Sequence, residues 1–329
     1  MILEATTSVT VSAWTDFLET APGSNVYQSP ELMEVYARTD GYQPGVLAVH
    51  GADGIRALLA FVLVSYARGH LPKIATRSLI IGGPLGDASA FPALLAGHES
   101  IAVHQAVMSQ IRNLDSPADR SVFEAMGYTW EDHLNYVIDL EQTESALLGK
   151  MSKSRRKSIA AADRSGLHLL EPRDTKQETV YRLLQETYLR AKVPLAPRSL
   201  FESALSVLLP RGQLWCMLAA IGETSCAVRL VLRWRNTLYD WYAGSSELGR
   251  QYHADAFLVW QILRRGIAEG CTRFDFGGAG APQENYGPAE FKRRFGGGTI
   301  NPGRFEKAYR PIALRAVKAA YGLGRKLSP

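Results

Sequence analysis

Apolar and polar positions along this chain alternate with two periods, near 3.6 and near 2, and the switches between them mark out its elements. Short helical patterns cover Ala13–Glu19 and Pro30–Thr39, the second with a proline in its first turn, where a missing N–H is harmless. Val46–His50 and Ile55–Ser65 read as strands joined across Gly51–Gly54, the second apolar on both faces like a central strand covered by helices. Ile80–Gly86 reads as a glycine-rich corner, Ala90–Arg112 as one long helix and Leu134–Leu140 as a strand. Beyond it, Lys150–Arg164 predicts a basic helical segment stopped at Gly166, and His168–Glu171 a strand. Thr175–Arg190 and Ser199–Leu209 predict helices. Leu214–Ile221, Ser225–Arg235 and Leu238–Ala243 follow as strands with hairpin-length joints. Ala254–Glu269 is then a helix, Arg273–Phe276 a strand, Ala289–Phe295 a helical turn, Arg304–Tyr309 a strand and Pro311–Tyr321 an amphipathic helix.

The second half thus runs β-α-α-β-β-β-α-β-α, the order of an N-acetyltransferase-type fold, and the first half repeats part of it. At 329 residues the chain exceeds the roughly 250–300 at which single cores stop growing. The expected class is therefore α/β (mixed α+β), as two tandem N-acetyltransferase-like domains, each a mixed central sheet flanked by helices. Their expected limits are 1–145 and 146–310, with a C-terminal helix over 311–329 packing back on the first domain.

Composition adds exclusions. With 46% hydrophobic and 21% charged residues the chain reads as an ordinary globular protein, without extended disorder. The N-terminus lacks a signal pattern. The longest apolar stretch, Ile55–Val64, contains Arg56 and is far shorter than the roughly 20 residues of a membrane helix. Cys216, Cys226 and Cys271 are too few for a disulfide framework or a metal knuckle, so no metal site is expected. A reducing cytoplasm is the expected location, with peripheral contact at an anionic membrane's inner face. The net charge of +5 gathers in two places. Lys150, Lys153, Arg155, Arg156 and Lys157 form one block, and the tail after Glu306 carries six cations and no acid. Either a phosphate-rich substrate or plain solvation accounts for them.

Familiar catalytic motifs are missing: there is no phosphate-binding Gly-x-x-x-x-Gly-Lys loop, no His-Glu-x-x-His and no Gly-x-Ser-x-Gly. The most informative stretch is Asp240–Asp255, where a strand end, a polar loop and a helix start come together. Free N–H groups there favour an oxyanion, with Arg250 and Tyr252 beside them. His253 at the helix start is a candidate general base, since the positive end of the dipole favours its neutral form. Arg229, Arg233 and Arg235 share one strand face, and line an anionic cleft or face water. Cys271 reads as packing.

Asp275-Phe-Gly-Gly278 followed by Phe291-Lys-Arg-Arg-Phe-Gly296 resembles the C-terminal signature of the FemABX-like peptidoglycan bridge-forming aminoacyltransferases. It is also similar to that of the related BioF2-like or CelD-like acetyltransferases. Lys153–Ile159 resembles the basic helix that opens that family's second domain, and Asn25–Glu31 and Gly82–Leu85 resemble its N-terminal landmarks. The resemblance implies transfer of an aminoacyl group from aminoacyl-tRNA to an amine of a phosphate-bearing cell-wall precursor peptide. It implies no tightly bound cofactor and no DNA partner. The rival within the resemblance is an acyl-CoA-dependent N-acyltransferase acting on a glycan or lipid, although no Gln/Arg-x-x-Gly-x-Gly/Ala donor loop is present. A catalytically silent nucleic-acid or membrane-surface module is the alternative outside enzymology. For transfer, negative charge must be stabilised on a carbonyl oxygen. Resemblance and that demand together select Lys292, with Asp275 orienting the strand end or the cation. Lys153, Arg155, Arg156, Arg229, Arg233, Arg250 and Tyr252 are then expected on the substrate.

Overall fold

The computed structural model describes residues 4–65, 76–116, 119–170, 176–283 and 287–316. The chain divides into two compact units, one of Met1–His133 with Asn301–Pro329 and the other of Leu134–Ile300. In chain order the first stretch holds α1 (Val11–Thr20), α2 (Pro30–Ala37), β1 (Tyr42–Gly51), β2 (Gly54–Ser65), β3 (Thr76–Ile81) and β4 (Leu85–Gly86). It continues with α3 (Phe91–Gln105), β5 (Met108–Arg112), α4 (Ser121–Ala125) and β6 (Thr129–Glu131). Then come β7 (Leu134–Asp139), α5 (Glu144–Lys150), α6 (Lys153–Arg164), β8 (Leu167–Leu169), α7 (Gln177–Arg190) and α8 (Arg198–Val207). Next are β9 (Leu214–Ile221), β10 (Thr224–Trp234), β11 (Thr237–Ser245), α9 (Glu247–Gln251) and α10 (Ala254–Ala268). The last are β12 (Arg273–Gly280), α11 (Gly287–Arg293), β13 (Gly298–Ile300) and β14 (Arg304–Ala308).

Each unit contains one mixed sheet flanked by helices, as expected. The first sheet runs β1-β2-β3-β5-β14-β6, with β4 also on β2, and the second runs β8-β9-β10-β11-β12-β7-β13. Both follow one plan: an antiparallel meander, one parallel pair (β3 with β5, β11 with β12), then two antiparallel strands. The strand beside each parallel pair is distant from it in sequence: β7 opens the second unit's segment, and β14 returns to the first unit after that segment ends. Residues 134–139, read within a first domain of 1–145, join the second sheet, and Arg304–Ala308, read at the end of 146–310, joins the first. Alternation shows which face of a strand is buried but not which sheet it enters, because that choice depends on pairing distant in sequence.

The helix expected over Ala90–Arg112 is shorter than it reads. It ends at Gln105, Ala106 turns extended, and Met108–Arg112 forms the parallel partner of β3. The run Ala106-Val107-Met108 fits either period, and pairing with β3 decides it. The N-terminal landmarks turn out to be structural. Asn25 and Gln28 are buried, Gln28 donates to the Gly83 carbonyl at 3.1 Å, and Trp14 Nε1 donates to the Gln28 carbonyl at 2.9 Å. Gly82 has φ +88 and lies so close to the Asn25 amide that a Cβ would collide with it, which explains the glycine. Residues 311–316 are helical, with Ile312 83% exposed, and the rest of the expected C-terminal helix lies outside the described residues. Among the described residues no helix is long and apolar enough to cross a membrane.

Candidate functional site

The second unit's parallel pair opens. β11 and β12 are in register only at Thr237–Arg273, Leu238–Phe274 and Tyr239–Asp275. Past that point both strands carry a bulge. Leu230 pairs with Tyr242 and Val231 with Asp240, so Trp241 is an extra residue on β11. On β12, Asp275 pairs with Val137 and Gly278 with Asn135, leaving one residue too many between them. Gly277 takes φ +73 there, and its N–H is held by Asp275 Oδ1 at 2.8 Å. By contrast, the first unit's parallel pair stays in register from Arg77–Met108 to Ile81–Arg112. Crevices at the carboxyl ends of parallel strands are the usual ligand sites of such sheets, and within the second unit this crevice is the candidate.

Lys292 meets the bulge. Its Nζ donates to the Gly278 carbonyl at 2.7 Å and lies 5.6 Å from the centre of the Phe276 ring. Burial pulls its pKa below the ordinary lysine value, aided by the Arg229 charge and opposed by Asp240 and Asp275. Arg229, 4% exposed, places Nη1 at 2.8 Å from both Asp240 oxygens. Asp275 is buried, with Asn135 Nδ2 at 3.5 Å and Arg273 at 3.7 Å from Oδ2. Lys292 and Arg229 thus both lie over Phe276, with the Asp240 and Asp275 carboxylates acting on the ammonium. Of the residues selected from the sequence, the structure brings Lys292, Asp275 and Arg229 together. Asp240, at the head of the Asp240–Asp255 stretch, carries no role that the sequence motifs assign. An acid on β11 near a strand arginine on β10 was a usable signal, because cross-strand opposite charges pair. Asn135 had none, since it arrives from β7.

The remaining expected residues spread out. Arg155 is 7% exposed, stacked on Phe291 and Phe295 with its guanidinium carbon 4.3 and 4.2 Å from their centres, and it donates to the Phe291 carbonyl at 3.2 Å. Arg156 Nη1 reaches the carbonyls of Leu148, Gly149 and Met151, closing the end of α5. Lys153 is exposed at the first residue of α6. Arg233 is paired with Glu269 at 2.5 Å and lies over Trp215. Arg250 is exposed and its Nη1 is 3.4 Å from the Ser245 carbonyl, as is Arg190 Nη1. Tyr252 is half-buried against the core. His253 is exposed in the left-handed turn before α10, with φ 58. Among the described residues no hydrogen bond or ion pair joins its side chain to the Lys292 cluster. In the Asp240–Asp255 stretch, Ser246 Oγ accepts from Gly249 N at 3.2 Å, and Thr187 bonds both the N–H and the C=O of Ser245. Cys226 and Cys271 are buried, and no group of three or more metal-ligating side chains occurs among the described residues.

Against known proteins, residues 150–293 match a family model described as an acetyltransferase (GNAT) domain. No curated protein matches the chain. Among solved structures, FemX superposes with a TM-score of 0.73 at 15% identity, over 95% of this chain and 99% of that one. A tandem GNAT protein from the clavulanic acid biosynthesis pathway gives 0.59 at 13% identity, over 94% and 99%. L-PGS from Bacillus licheniformis gives 0.58 at 14%, over 94% and 96%. Two sheets on one plan, the second opened at its parallel pair, therefore define a tandem GNAT-type fold. Its form is the FemABX-like one.

Proposed function

We propose that the protein is an acyltransferase that moves an aminoacyl group from aminoacyl-tRNA to an amine of a phosphate-bearing cell-wall precursor peptide. The observation that carries acyl transfer is Lys292 Nζ anchored at the Gly278 carbonyl beside the opened strand pair. An amine attacking an ester carbonyl forms a tetrahedral centre with charge on oxygen. A half-buried ammonium fixed beforehand stabilises that charge more than the neutral ester. Asp275 shapes the bulge through Gly277, and the Arg229–Asp240 pair fixes the opposite wall. The lowered pKa of Lys292 also eases donation of its proton to the leaving oxygen as the C–O bond breaks. The neutral lysine then takes the proton that the attacking nitrogen sheds as the C–N bond forms.

The donor choice follows from the stretch after β11. A CoA-type donor brings a pyrophosphate and an extended amide arm, which need unfilled backbone N–H and C=O groups. Here the Gly249 N–H is capped by Ser246, and both backbone groups of Ser245 are taken by Thr187. Those bonds favour the tRNA-borne ester over the thioester, while the acetyltransferase family match keeps acyl-CoA as the second reading. Exposed Lys153 and Lys157 at the start of α6, with Arg190 and Arg250, are available for phosphates. The test is donor dependence: the full chain is given a cell-wall precursor peptide with either charged tRNA or acetyl-CoA. Product from charged tRNA alone supports the reading, and product from acetyl-CoA alone replaces it with the second one.

A further inference from the structure

The basic block was expected to act as a unit on phosphate, but its most central member is inside the protein. Arg155 follows Ser152, whose hydroxyl caps α6 by accepting from the Arg155 N–H at 3.2 Å. That cap turns the Arg155 side chain inward, onto α11. Burying a guanidinium is costly unless its donors and its flat faces are used. One donor and the faces are used, on α11 and the turn after it: Nη2 bonds the Phe291 carbonyl, the plane covers Phe291 and Phe295, and Nε is buried without a hydrogen-bond partner among the described residues. Those two rings in turn meet Phe276, at 6.2 and 5.5 Å, and on Phe276 lie Lys292 and Arg229. Other groups close the same helix end. Ser152 N donates to the Arg294 carbonyl at 3.0 Å, and Tyr136 Oη donates to the Arg293 carbonyl at 3.3 Å.

We infer that Arg155 is the positioning residue for Lys292, holding α11 through Phe291 and Phe295 so that the ammonium stays on the Gly278 carbonyl. The inference rests on the proposed role of Lys292, but its geometry does not. Phe291 is the residue before Lys292, so a shift of the Phe291 carbonyl moves the lysine Cα directly. Arg155 itself is pushed down to about 10, chiefly by burial and then by Arg294 and Arg229, with Asp255 opposing. A group so desolvated serves packing rather than a mobile phosphate, which leaves Lys153 and Lys157 as the exposed part of the block.

The experiment uses the full chain and the variants Arg155→Met, Arg155→Lys and Lys153→Met. The pH dependence of Lys292 modification by an amine-reactive reagent is read by peptide mass spectrometry, alongside melting and single-turnover transfer. The groups facing Lys292 are Arg229 on β10, Asp240 on β11 and Asp275 on β12, and all stay in place. In Arg155→Met water reaches the loosened ammonium, so the midpoint of modification rises toward that of an ordinary lysine. Turnover falls on the order of 10–100-fold with donor KM little changed, as misplacement of a reacting group by about 1 Å does. Arg155→Lys recovers part of both. Lys153→Met removes a nearby exposed charge and leaves the midpoint where it was. If Arg155→Met melts too low to assay, Arg155→Lys alone carries the comparison. A midpoint unchanged in every Arg155 variant that stays folded overturns the inference. A shifted midpoint in a protein that transfers from no donor upholds the positioning and sinks the proposed activity instead.

Discussion

At the scale of single residues, a charge is buried at Arg229 and burial keeps one off His98. Removing Asp240 leaves the Arg229 guanidinium buried without its carboxylate, and breaking such a pair costs about 3–5 kcal/mol. Asp240→Ala should therefore melt far below the native protein. The double change Arg229→Met, Asp240→Leu should regain much of that stability while transfer stays lost. A double variant with full activity would show that the pair serves packing alone. In the first unit, His98 is fully buried with Nε2 at 2.8 Å from Ser78 Oγ and its ring edge against Phe61. Burial pushes it from its ordinary 6.5 down to about 4, with Lys307 adding to the effect. The folded pKa lies below the unfolded one, so between about 6.5 and about 4 the unfolded chain binds a proton that the native chain does not. Stability is thus full above 6.5 and lost as pH falls, at up to about 1.4 kcal/mol per pH unit. His98→Gln should remove that slope from denaturant midpoints measured across this range, and an unchanged slope would assign it to other groups.

At the scale of elements, the bulge in β12 is the feature on which the crevice depends. Gly277 has φ +73, and a Cβ there would find room, 3.8 Å from Lys292 Nζ and from the Asp240 carbonyl. Gly277→Ala therefore meets conformational strain rather than collision, roughly 1–2 kcal/mol. Its melting should drop by a matching small amount while transfer falls further, because the strand relaxes out of the bulge. An activity loss no larger than the stability loss would contradict this. The start of α6 separates in the same way. Arg156→Ala strips three carbonyls at the end of α5 of their donor and should cost about 1–2 kcal/mol. Lys153→Ala with Lys157→Ala should leave melting unchanged and flatten the salt dependence of donor binding.

Much of this architecture was legible in the sequence, and the exceptions have causes. The meander of β9, β10 and β11 followed from three successive apolar stretches and two short joints, and Lys292 and Asp275 from local motifs around glycines. The strand β5 was hidden because Ala106-Val107-Met108 suits either period, so the chain after Gln105 read as helix. Arg155 looked like part of a solvated block because nothing local shows that Phe291 and Phe295 arrive to cover it.

At the scale of the whole molecule, the first sheet takes a strand from beyond the second unit's segment. β14 pairs with both β5 and β6, and its Phe305 is stacked on Phe123 at 4.3 Å within the first core. A chain ended at Ile300 should therefore lose the fold of the first unit, seen as rapid proteolysis of residues before His133. Protection equal to that of the full chain would show that β14 is dispensable. The contrast between the sheets also bears on function: one parallel pair is in register along its length, the other opens after three residue pairs. The proposed transfer at the opened pair makes its sharpest demand on Lys292. The measurement is single-turnover transfer by Lys292→Met from charged tRNA, at saturating donor and acceptor. Loss of a placed donor to the oxyanion should slow the step about 10²–10³-fold, roughly 3–4 kcal/mol, with donor affinity nearly unchanged. A near-native rate in a folded Lys292→Met variant would contradict the assignment.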